Sequence, residues 1–170
     1  MGMERIADGL DRINRLVGAA AMWLALAMVL LQFAIVVARY VFGTTSIFWN
    51  EGVLYLHAGL FMLGAGYALL VDGHVRVDIF HARLSPRGKA MVDVFGHLLL
   101  LAPSLLMLLW WSWPMVRRAW AIREGAISVG GIPASFLLKT LVPAFCVLLL
   151  IQGASGLIRA ALRLRARDAA

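Results

Sequence analysis

Charge enters this 170-residue chain in clusters, and between the clusters lie four uncharged, strongly apolar runs at residues 16–38, 52–71, 94–116 and 140–158. The runs hold 23, 20, 23 and 19 residues. As helices rising 1.5 Å per residue, each is long enough to cross a bilayer core of about 30 Å. The pattern predicts an all-α integral membrane protein with spans at about 16–38, 52–71, 94–116 and 136–158. The first run is too long for a signal peptide, lacks a small-x-small exit and is followed by three further runs, so it is expected to be retained. No Gly/Ser linker or repeat divides the chain, and residues 1–170 are expected to form a single four-helix transmembrane domain.

Ahead of the first run, MERIADGLDRINR sets Met3, Ile6, Leu10 and Ile13 on one helical stripe, with Arg5, Asp8, Asp11 and Arg12 elsewhere. This amphipathic lead-in fits two readings: a helix lying in the headgroup layer, or a plain extension of the first span. In LSPRGKAMVDVF, Ser85 is a candidate cap with Pro86 at the first helical position, so the third helix is expected to begin well before its apolar run. The second run carries Gly52, Gly59, Gly66 and Gly73 at intervals of seven, with Ala58 and Ala65 beside them. Membrane helices associate by close backbone approach along such faces, so the stripe predicts a tightly held neighbour, either within the bundle or on another chain. Gly156 and Ala160 form a shorter small-xxx-small pair.

Composition supports the membrane reading, with 62% hydrophobic and 15% charged residues and a mean hydropathy of +0.86. Basic residues give it a direction. Arg5, Arg12 and Arg15, then Arg76, Arg83, Arg87 and Lys89, then Arg159, Arg163, Arg165 and Arg167 put eleven of the sixteen on the side of the termini and the 72–93 loop. The other side holds Arg39, Arg117, Arg118, Arg123 and Lys139. The positive-inside bias therefore predicts both termini in the cytoplasm. Trp49, Trp110, Trp111, Trp113 and Trp120 cluster at the outer span ends as an interfacial belt. The net charge of +7 is explained by arginines facing anionic lipid and calls for no nucleic acid. Cys146 is alone, which excludes a disulfide or CxxC motif within the chain and leaves a small buried hydrophobe.

Transport sites of membrane carriers show as polar residues near the midplane and as helices broken at Gly or Pro. These runs contain no acidic or basic residue at mid-depth, and their amides, Gln32 and Gln152, are better used in hydrogen bonds between helices. Pro103 and Pro143 within spans and Pro114 near an end are weak signs of unwinding, since proline is frequent in membrane helices. Histidines raise a haem reading that depth opposes. His57 lies about 8 Å inside the outer end of the second run and His97 about 5 Å inside the inner end of the third. Ligands of one iron must meet within a few ångströms, and His74 and His81 belong to the loop. There is no GxSxG, HExxH or P-loop and no grouped Ser, His and acid. No catalytic, metal or cofactor site is expected.

A few positions invite two readings each. Arg39 and Glu51 flank the first outer turn, VARYVFGTTSIFWNEG, near Trp49. Glu51 can serve the helix dipole while Arg39 snorkels, or the two can form an ion pair that fixes a surface met by a partner. Lys139 snorkels outward or meets a partner subunit. His74 and Asp78, four apart, order the loop if it is helical.

The order of motifs resembles the small membrane subunit, DctQ type, of tripartite ATP-independent periplasmic (TRAP) transporters over nearly the whole chain. ARYVFGTTSIFWNEG resembles that family's Arg-Tyr-x-Phe-Gly turn and Trp-x-Glu; LGAGYALLVDGHVRVDIF resembles its Gly-Ala run and Gly-His-x-x-Val-Asp; ISVGGIPASFLLKTLVPAFCVLLLIQG resembles the Gly-Ile-Pro turn, Lys-x-x-x-Pro and Gln-Gly of branches handling organic acids. Where the family often has two acidic residues after the Trp, this chain has Asn50 and then Glu51. The resemblance implies a bacterial inner-membrane subunit that braces a large transport subunit beside a periplasmic substrate-binding protein, in sodium-driven organic acid uptake. A free-standing carrier or assembly factor is the alternative.

Overall fold

The computed structural model describes residues 2–73 and 85–168. Every regular element among them is helical: α1 (Gly2–Phe42), α2 (Ile47–Leu70), α3 (Pro86–Phe95), a π-helical turn (Gly96–Leu101), α4 (Ala102–Ala121) and α5 (Ser135–Asp168). Among the described residues, four stretches are long and apolar enough to cross a membrane: Gly2–Phe42, Ile47–Leu70, Gly88–Ala121 and Ser135–Leu164. The all-α class and the four membrane-length apolar helices read from the sequence are therefore found in the structure.

The lead-in is a plain extension of the first span, within one helix of 41 residues that is about 60 Å long. Its faces are reversed from a water-facing reading. Ala7, Asp11, Asn14, Gly18 and Ala21 are buried, whereas Met3, Ile6 and Ile13 are exposed. Polar side chains turn inward here because α5 supplies their hydrogen-bonding partners.

Local signals account for the helix ends. Ser85 caps α3, its Oγ accepting from the Gly88 amide at 3.2 Å, with Pro86 in the first turn as the sequence predicts. Pro103 explains the π turn just before it. A proline has no N–H to donate and crowds the carbonyl four residues back, and a wider turn relieves that crowding; the Ala102 amide reaches the His97 carbonyl instead. Helices α2 and α4 end in the same capping geometry, with the Gly73 amide on the Ala68 carbonyl at 2.8 Å and the Glu124 amide on the Ala119 carbonyl at 2.9 Å. The left-handed residue in these caps is Asp72 (φ 55°) in one and Arg123 (φ 47°) in the other.

Helix α5 is the hub. It packs on α1, α2, α3 and α4, and 39% of its most apolar stretch is buried, against 6% for the span containing α4. Helix α4 leans chiefly on α5 through Leu105, which joins Cys146 and Leu149 in a small apolar core. An open, almost wholly apolar groove of about 1070 Å³ separates α4 from α2, lined by Leu63, Leu106, Trp110, Trp113, Pro143 and Val147 among others.

The glycine stripe faces inward to α1. A Cβ at Gly52 or Gly59 would sit 3.0 Å from Leu31 Cδ2 or Leu24 Cδ1, and one at Gly66 would fall on the Asn14 side chain. Gly73 does not belong to this seam: it lies past the end of α2, where a Cβ would meet its own chain's Ala68 carbonyl at 3.2 Å. Gly153 and Gly156 receive Leu101 and His97 from the π turn.

Candidate functional site

Two polar constellations stand at opposite ends of the bundle, each built on a buried carboxylate. At the hairpin end, Glu51 is 7% exposed. Its Oε1 accepts the Ser128 amide at 3.0 Å and its Oε2 the Ile132 amide at 2.7 Å. The clamped segment joins α4 to α5, and a Cβ at Gly131 would fall on the carboxylate. Further ties hold the same segment: Lys139 Nζ on Glu124 at 2.6 Å, Ser135 Oγ on the Gly125 carbonyl at 2.5 Å, and Trp120 Nε1 on Thr140 Oγ1 at 2.8 Å. Trp120 also meets Phe136 edge-on, with ring centroids 4.8 Å apart.

Of the two readings of Arg39 and Glu51, the ion pair is not formed. Arg39 is exposed, and both Glu51 oxygens are engaged by backbone amides. The dipole reading weakens too. Helix α2 starts at Ile47, so Glu51 stands in the second turn, past the amides where the dipole acts most strongly. Trp49 is 43% exposed beside the hairpin. Lys139 neither snorkels freely nor stands unpaired, since Glu124 takes it.

At the end holding the termini, α1 and α5 share a continuous network. Asn14 Nδ2 donates to Gln152 Oε1 at 3.0 Å, and Gln152 Nε2 to Asp11 Oδ1 at 3.0 Å. Ser155 Oγ approaches the same Asp11 oxygen at 2.5 Å. Arg159 Nη2 closes the network on Asp11 Oδ2 at 2.6 Å and Asp8 Oδ1 at 2.7 Å. Asp11, Asn14, Gln152 and Ser155 are all buried. Asn14 Oδ1 has no hydrogen-bond partner among the described residues and is pressed against Gly66. The expected role of Gln152 between helices is thus what the structure displays, while Gln32 is exposed. His74 and Asp78 lie outside the described residues.

The model of the family described as tripartite ATP-independent periplasmic transporters, DctQ component, matches residues 28–163, well over half of the chain. The chain belongs to the DctQ family. No curated protein matches it.

Both constellations of this DctQ component fix structure: their carboxylates are consumed by amides, hydroxyls and a guanidinium. Among the described residues no three His, Cys, Asp or Glu side chains gather as a metal site would require. His57 is exposed on α2, and His97 turns Nδ1 to the Asp93 carbonyl at 2.6 Å. Asp11, Asn14, Ser155 and Arg159 were not among the residues singled out by sequence. A signal for them existed. Asp8, Asp11 and Arg15 recur at three and four on the face away from the apolar stripe, and Gln152, Ser155 and Arg159 recur at three and four on α5. For the Ser128 and Ile132 amides there was none, because a backbone donor has no residue signature.

Proposed function

We propose that this chain braces the large membrane subunit of a TRAP transporter and helps to dock the periplasmic substrate-binding protein during sodium-driven uptake of an organic acid. It belongs in the bacterial inner membrane, with both termini and the 72–93 loop cytoplasmic and the hairpin end outside, because the greater share of basic residues lies at the terminal end. The observation that carries the brace is the commitment of the two acids buried among the described residues. Asp11 and Glu51 sit at opposite ends and are fully used in holding helices and a loop together. A carrier's own ion site needs such groups near the midplane with ligand positions open.

Helix α4, supported chiefly by α5 and bordered by the apolar groove, leaves a bundle with much helix surface for lipid and for a neighbouring subunit. The organic acid as cargo comes from the motif resemblance alone. Co-purification from mild detergent tests the reading: the tagged chain should bring down a larger multi-span subunit encoded beside it. Emergence of a monodisperse chain without that subunit would contradict the brace and favour a free-standing protein.

A further inference from the structure

The hairpin end holds five cations, Arg39, Arg117, Arg118, Arg123 and Lys139, and two acids, Glu51 and Glu124. Both acids are spent internally, Glu51 on backbone amides and Glu124 on Lys139. Arg39, Arg117, Arg118 and Arg123 are exposed, and none of their guanidinium groups has an ion pair or hydrogen bond among the described residues. Four uncompensated positive charges thus stand at the end that the distribution of basic residues otherwise assigns to the outside. They run against the positive-inside tendency, which makes them informative.

Arg123 adds an independent sign. It occupies the left-handed position of the α4 cap (φ 47°), with its own amide on the Trp120 carbonyl at 3.2 Å. Glycine is the usual residue at that position, and an arginine there is strained. Strain of this kind is concentrated where a side chain is needed for function. The segment beyond it is irregular yet held by Glu51, Lys139, Ser135 and Trp120, so its shape is set before any partner arrives. Glu51 grips the amides of Ser128 and Ile132, while Ile127 and Val129 beside them are 59% and 95% exposed.

We propose that this end is a preformed docking platform for a soluble protein with a carboxylate-rich face, in which Arg117, Arg118 and Arg123 supply charge and Ile127 and Val129 an apolar contact. The proposal rests on the reading above that the hairpin end faces the outside and meets the soluble component. Exposed arginines and exposed apolar side chains at one end of the chain, on a backbone that needs no further ordering, are the composition and rigidity of a protein-binding surface. A bilayer surface would also take arginines and an apolar tip, but it needs no clamped loop, and the two lipid compositions in the test below separate it from a protein partner. The opposing charge gives the platform long-range steering that salt weakens.

The test uses the chain co-purified with its large subunit in nanodiscs, and the cognate soluble binding protein as probe. Its Kd is measured at low and high salt in zwitterionic discs and in discs containing phosphatidylglycerol. Wild type should bind in both lipids and weaken with salt. Arg117→Glu with Arg118→Glu should weaken binding about tenfold or more, as expected for like charges set against an acidic partner. Arg123→Gly should leave the melting temperature equal or higher, by relief of the strained cap, while weakening binding several-fold. Val129→Asp should weaken binding at unchanged melting temperature. A wild-type complex that binds with no response to salt or to any of these changes would overturn the platform and leave the docking reading intact. Responses seen only in phosphatidylglycerol discs would overturn it in favour of lipid headgroups. Absence of binding by an intact wild-type complex would overturn docking and platform together, with the brace untouched.

Discussion

Among the described residues, the two buried carboxylates solve one problem in different ways. Asp11 is satisfied by side chains of another helix: Gln152, Ser155 and Arg159. Glu51 is satisfied by the backbone of an irregular segment, through Ser128 and Ile132. The first arrangement joins α1 to α5 at a fixed register, and every member depends on the identity of the others. The second shapes a loop through its backbone and so leaves most of its side chains free to vary, apart from Gly131, which must have no Cβ, and Gly130, whose φ of 83° favours glycine. A side-chain network is therefore expected to be the more brittle of the two, and a backbone clamp the more permissive.

The largest effect should come from breaking the α1–α5 network. Asp11→Ala removes three hydrogen bonds to a buried carboxylate, from Gln152, Ser155 and Arg159, each worth about 1.5–3 kcal/mol when the acceptor is charged; Ser155 keeps the Ala7 carbonyl and Arg159 keeps Asp8, which holds the net loss to about 3–5 kcal/mol. Thermal unfolding in detergent should show it, and removing Asp11 and Arg159 together should be less damaging than the sum of the single changes. Additive losses would mean that the two do not act as a unit. Gly66→Leu strikes the same site from α2, since any side chain there meets Asn14, and overpacking of this kind is expected to be destabilising by about 1–3 kcal/mol.

A smaller and more local effect should follow at the other end. Glu51→Ala leaves two amides without their acceptor, at about 1–3 kcal/mol for each that stays buried. Glu51→Gln keeps one acceptor oxygen and should recover part of the loss. Gly131→Ala should resemble Glu51→Ala, because its Cβ displaces the same carboxylate. The readout is limited trypsin cleavage after Arg123, which should accelerate in all three variants while the helices stay intact. Unchanged cleavage in Glu51→Ala would show that the remaining ties hold the segment without the clamp.

The contrast also explains what could be read from sequence. The four spans, the Ser85 cap and the glycine seam at Gly52, Gly59 and Gly66 were legible because each rests on local spacing. The Arg39–Glu51 pair was one reading suggested by the closeness of two charges along the chain, yet the true partners of Glu51 lie 77 and 81 residues away. Asp11 and Gln152, 141 residues apart, escaped for a different reason. A polar face on an amphipathic helix is ordinarily water-facing, and only the long extension of α1 alongside α5 turns it inward. Long-range pairing of polar groups leaves little trace in single-sequence periodicity.

The smallest effects should mark residues outside both constellations. Lys139 and Glu124 form a pair whose side chains are 32% and 34% exposed, so Lys139→Ala should be destabilising by only about 0–1 kcal/mol. Arg39→Ala, at an exposed site without a partner among the described residues, should change stability by no more than about 0.5 kcal/mol. It should also be additive with Glu51→Ala. A coupled loss in that double variant would restore the ion pair that the geometry removes.

Sodium-driven uptake in proteoliposomes tests the central claim most directly. The chain alone should accumulate no organic acid under an inward sodium gradient, whereas the same chain reconstituted with its large subunit and soluble binding protein should do so. Sodium-dependent accumulation by the isolated chain would contradict the brace and show that this bundle holds a transport site of its own.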